Sequence, residues 1–269
     1  MVINSGPRPM SFARVVAVPV AAAFVVGAAA CSSETNGVAT APATSAQPAA
    51  SSAPPALPVP PAPSEDGYSA TSVQVTGDTG RVRYDVEVPQ VEGGDPAVAA
   101  EFNESIRAAL QDQIDGAAGE SFTLGGRDES RVAHIGSRVL SGLLVTSWNA
   151  DPPGAHPTPL VATVVIDADS AQPVTLNTLF PDLQAGLDRL SEESARLLPA
   201  TAAGAEFDRT GIEPTHRNFA NWLATPEGME IHFQDYQVGP HAVGLVEVTV
   251  PWERLQDVMA PAMVGVVSS

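Results

Sequence analysis

Residues 219–233 read Phe219-Ala220-Asn221-Trp222-Leu223-Ala224-Thr225-Pro226-Glu227-Gly228-Met229-Glu230-Ile231-His232-Phe233. Thr225-Pro226-Glu227-Gly228 puts proline and glycine where a tight turn prefers them. The flanks, residues 219–224 and 229–233, are therefore read as the two strands of a hairpin. In the second flank Met229, Ile231 and Phe233 alternate with Glu230, His232 and Gln234. A period of two buries the first set and turns His232 to solvent. Residues 242–250 continue the alternation, with Val246, Val248 and Val250 on one side and Glu247 and Thr249 on the other. Pro251 ends that strand, and Trp252, Leu255, Val258 and Met259 are spaced for a short closing helix.

Upstream, Val73, Val75, Val82, Tyr84, Val86 and Val88 again recur at period two, with residues 77–80 as the turn between two strands. Asp95 then suits an N-cap, with Pro96 at the first helical position. Val98, Phe102, Ile106 and Leu110 repeat every four residues, with Ile114 after them, so one face of this helix meets a core. Gly116 and Gly119 end it. A short segment follows at residues 121–124, with strands at about 130–148 and 160–166. Residues 167–173 form a turn and 174–176 a short strand. A second helix opens at Leu179-Phe180-Pro181-Asp182 and turns Leu183, Leu187, Leu190 and Leu197 or Leu198 inward.

Strands joined largely by hairpins, with helices that do not strictly alternate between them, predict an α+β fold. It is mainly antiparallel sheet with a few packed helices, in two subdomains at residues 67–150 and 151–269.

The first 30 residues follow another logic. Arg8 and Arg14 precede an apolar run at residues 15–26, which leads through Gly27-Ala28-Ala29-Ala30 to Cys31. This is the order of a bacterial secretory signal. The apolar run is about a dozen residues, against the roughly 20 that a membrane-spanning helix needs. Cys31 is the only cysteine in the chain and directly follows the small-residue site, so it is read as the lipidated residue of an exported lipoprotein. That places the protein at the outer face of the cell membrane, with the domain in the cell envelope. From residue 32 to 66 Ala, Pro, Ser and Thr dominate and no apolar period appears, which predicts a tether without a core.

The chain carries 13 basic and 31 acidic residues, a formal charge of −18. Cleavage after Ala30 removes Arg8 and Arg14, leaving 11 basic residues and a charge of −20. That balance excludes nucleic acid as a partner and permits a basic protein.

The order of motifs from Gly154-Ala155-His156 through Leu176-Asn177-Thr178-Leu179-Phe180, Asn218-Phe219, residues 227–233 and Tyr236-Gln237-Val238-Gly239-Pro240-His241 to Val250-Pro251 resembles the RsiV-like extracytoplasmic domain family. Members of that family occur in the anti-sigma factor RsiV and in the accessory region of the deacetylase PdaC. Residues 151–262 carry the resemblance, and residues 81–114, with Asn103, resemble the companion N-terminal subdomain. It implies an α+β envelope domain used for binding or as an accessory module. The chain departs from the family at His241, where a tyrosine is common, so a family ligand contact at that loop does not carry over.

Five histidines occur, but none in the spacing of a zinc motif, and no metal or cofactor is expected. Residues 167–172 lack the glycine and glutamate of a calcium loop and are read as a hairpin turn. No Gly-x-Ser-x-Gly elbow is present. A nucleophilic set would have to assemble in space from Ser137 or Ser147, His156 or His241, and Asp151 or Asp235. Two rigid loops carry the recognition residues instead: Trp148, Asp151 and His156 in the first, Tyr236, Pro240 and His241 in the second. The sequence thus favours a binding module for a cell-wall glycan or a basic lysozyme-like protein, with a wall-associated esterase or other hydrolase as the alternative.

Overall fold

The computed structural model describes residues 67–269 except 117 and 118. The signal, Cys31 and the tether lie outside the described residues. The fold is α+β, built on two sheets. The first takes β1 (Tyr68–Asp78), β2 (Val82–Gly93), β3 (Phe122–Gly126), β4 (Arg131–Ile135), β5 (Val139–Ala150), β6 (Thr158–Asp167) and β7 (Gln172–Pro173), in the order β1-β2-β3-β5-β6-β7, with β4 paired to β5. All its pairs are antiparallel except β2 with β3, which α1 (Pro96–Asp115) connects. The expected boundary at Ala150 falls between β5 and β6, which pair along ten residues, so this sheet continues past it to Pro173.

Helix α1 starts where its residues dictate: the Asp95 carboxylate accepts from the Ala97 N–H at 2.7 Å and Pro96 takes the first position. Its buried stripe is Val98, Phe102, Ile106, Leu110 and Ile114, packed on the first sheet.

The second sheet is β8 (Trp222–Thr225), β9 (Gly228–Phe233) and β10 (Val246–Val250), in the order β10-β9-β8. The hairpin forms as its turn residues predict, with Thr225 opposite Gly228. Gly228 has φ +159° and a Cβ there would lie 2.2 Å from the Val250 carbonyl, so only glycine fits. One face of this sheet packs on α3 (Leu183–Leu197) and its neighbours through Trp222, Met229, Ile231, Phe233, Val248 and Val250. The other face meets β5 and β6, where Leu223 joins Leu143, Val145 and Val161 in a small apolar cluster. Side chains stitch the sheets together: Ser141 Oγ bonds both the N–H and C=O of Ala224, and the Gln234 amide bonds both those of Val161.

Several local expectations are corrected. Residues 174–176 do not form a strand, because Thr175 and Thr178 cap each other and start the one-turn helix α2 (Leu176–Leu179). Phe219 belongs to the 3-10 turn His216–Phe219, capped by Thr215, so β8 begins at Trp222. After Pro251 only the 3-10 turn Trp252–Arg254 forms, and the closing helix α4 runs Pro261–Val267. His232 is not on a solvated face: it is 5% exposed, because its face of the second sheet turns toward β5 and β6.

Candidate functional site

The loop after β9 and the loop between β5 and β6 meet at one edge of the two sheets. There the rings of His156 and His241 stack, centroids 3.8 Å apart and planes 13° from parallel. Tyr236 stacks on His241 at 5.6 Å, and its hydroxyl lies 3.4 Å from His156 Nε2. His241 Nδ1 donates to Asp235 Oδ2 at 2.8 Å, and that carboxylate is only 2% exposed. The buried acid fixes the orientation of the ring. Tyr236 is 56% exposed and holds φ at +63°, a left-handed conformation unusual for an aromatic residue. Such an outlier at an exposed aromatic is a reason to look for function there.

His241 and Pro157 line a cleft of about 600 Å³ between β4 and β5 on one side and β9 and β10 on the other. Arg127, Glu129, Arg131, His232 and Glu247 supply its polar lining, with Leu143, Val145 and Leu245 among its apolar residues. Arg127 and Glu129 hydrogen-bond one another, which raises the guanidinium and lowers the carboxyl from their ordinary values. Burial pushes the Glu230 carboxyl up, but the hydrogen bond from His232, with the charges of that ring and of Arg131, outweighs it and holds Glu230 below the usual range. A larger hollow of about 820 Å³ over β1, β2 and β4 shares Arg127 and Arg131 but has no aromatic residue in its lining.

Of the six recognition residues read from the sequence, His156, Tyr236 and His241 come together, and Pro240 opens the 3-10 turn that carries His241. The other two do not join them. Trp148 is half-buried against the first core, 5.8 Å from Phe122. Asp151 is exposed and pairs with Arg83 at 3.4 Å. Sequence reading placed His232 in solvent and gave Glu230 and Glu247 no role. Period-two alternation says which residues share a face, but not that a second sheet covers it.

A family profile described as "Protein of unknown function (DUF3298)" matches residues 177–253. That stretch includes Tyr236 and His241 but not His156. Among solved structures, the chain is similar to a member of the DUF3298 family from Bacteroides fragilis NCTC 9343, with a TM-score of 0.52 at 16% identity. That alignment covers 75% of this chain and 98% of the other, and it shows a shared fold. A DUF3298 family protein from Pseudomonas aeruginosa PAO1 aligns with a TM-score of 0.46 at 13% identity, over 74% of this chain and 96% of its own. No curated protein matches the chain.

Proposed function

We propose that this chain is a bacterial cell-envelope lipoprotein, lipidated on Cys31, whose RsiV-like domain binds a cell-wall component in the cleft between its two sheets. The observation that carries this reading is the convergence of His156, His241 and Tyr236 from two separate loops at the cleft edge. Exposed aromatic faces beside a polar cleft suit a ring-shaped, hydroxyl-rich ligand such as a glycan, which stacks on the rings and hydrogen-bonds to Arg127 and Arg131.

A basic lysozyme-like protein is the second reading, favoured by the charge of −20 on the mature chain. Its binding would fade as salt rises, whereas stacking on the aromatic cluster would persist. The hydrolase alternative has the Asp235–His241 pair, which resembles the orienting half of a general base. Yet the cleft lining among the described residues includes no serine, threonine or cysteine, and neither Ser137 nor Ser147 is part of it. Turnover of a short-chain ester, lost in His241→Ala, would restore that alternative.

For the anchor, fractionation of cells carrying Cys31→Ser is the test. The lipoprotein reading expects this variant to leave the membrane fraction, and its retention there would overturn the anchor.

A further inference from the structure

The antiparallel register of β9 and β10 sets His232 opposite Glu247, with Glu230 two residues away on the same face. The His232 side chain is 6% exposed and Glu230 17%, while Glu247 is 61% exposed at the cleft wall. One atom from each of the three lies within 4.8 Å of the others. The two ring nitrogens point to different acids: Nε2 is 2.7 Å from Glu230 Oε1 and Nδ1 is 3.6 Å from Glu247 Oε2.

An imidazole that ligates a metal is neutral and keeps one N–H. At 2.7 Å that hydrogen belongs on Nε2, donated to Glu230. Nδ1 then turns a lone pair toward the Glu247 carboxylate, across a gap too long for a hydrogen bond. The two acceptors then face each other across a gap that a cation bound by both can fill. Zinc–nitrogen and zinc–carboxylate bonds of about 2.0 to 2.2 Å at a tetrahedral angle set the two donor atoms about 3.4 Å apart, close to the separation found here.

We infer that His232 Nδ1 and Glu247 form a site for a divalent transition-metal ion of the zinc class, with Glu230 orienting the imidazole from outside the coordination sphere. A carboxylate that accepts from the far nitrogen of a metal-bound histidine is a recurring outer partner, because it fixes the ring and makes the ligating nitrogen more basic. Arg131 lies 3.5 Å from the same Glu230 oxygen and already balances that acid. Glu247 has no arginine in ion-pair range among the described residues. Imidazole with one carboxylate favours zinc over magnesium or calcium, which prefer all-oxygen shells. The remaining coordination positions open into the cleft, where water or a ligand oxygen completes them. The site does not depend on what else the cleft binds.

Titration of the full chelator-treated chain with zinc by calorimetry is expected to give one ion per chain. Glu230→Gln is expected to weaken binding by about 10- to 100-fold, and His232→Gln and Glu247→Gln to abolish it. Cobalt in place of zinc should give visible absorption bands of a tetrahedral centre in the wild type and none in Glu247→Gln. Because Glu247 is exposed, that variant keeps its fold and serves as the decisive control. Zinc binding equally well to wild type and Glu247→Gln, or no zinc binding to the wild type, would overturn the site.

Discussion

β2 pairs with β3 only as far as Asp85, and Asn103 on α1 serves its edge further along. The Asn103 amide accepts from the Val91 N–H at 2.8 Å and donates to the Val91 C=O at 2.9 Å, as a neighbouring strand would. Val91 is 2% exposed, so water cannot replace either bond. Removing the amide leaves two buried backbone groups unpaired, each costing about 1 to 3 kcal/mol. Asn103→Ala is therefore expected to lower stability by about 2 to 6 kcal/mol, read from the urea midpoint, and a loss under about 1 kcal/mol would refute the role. Gln234 repeats the device on Val161. Amide pairing of this kind was not legible in the sequence, where Asn103 stood out only by resemblance and Gln234 only as a polar alternate.

Among elements, α1 packs on β5 at Gly142, where an added Cβ would lie 2.6 Å from Phe102 Cζ. The aromatic ring fills the space that a side chain on β5 would take. Gly142→Ala should cost about 1 to 3 kcal/mol by overpacking, and a thermal scan showing no drop would place the helix differently. Helix α3 is clamped elsewhere, by Arg189 bonding both oxygens of Asp257 at 2.7 and 2.8 Å. These hydrogen bonds hold the Asp257 carboxyl below its ordinary value. A carboxyl with a depressed folded value adds stability that is fully present above its unfolded value of about 4. That stability is lost as pH falls through the lower folded value. Asp257→Asn should flatten the acid limb of stability below about pH 4 and leave its pH dependence above 6 unchanged, as urea midpoints across that range would show. The elements themselves were largely readable. Four-residue spacing named every buried position of α1, and Pro226 with Gly228 marked the hairpin. The misreadings came where short polar side chains rebuilt the backbone: Thr175 and Thr178 made a helical turn where Val174-Thr175-Leu176 read as a strand, and Thr215 drew Phe219 out of its strand.

At the scale of the whole molecule, two sheets face each other and leave an open polar cleft on one flank, with loops from both lending it aromatic rings. Tyr236 and His156 lie 80 residues apart in the sequence, which named the three rings without showing that they stack.

The aromatic edge of the cleft is proposed to bind a wall component. Co-sedimentation of the wild-type chain and of Tyr236→Gly with purified insoluble cell wall tests it most directly, since glycine accepts φ +63° without strain. The wild type is expected to sediment with the wall at both low and high salt, and Tyr236→Gly to bind at least about tenfold more weakly, a loss of 1.4 kcal/mol. Equal binding by the two chains, or no binding by either, would contradict it.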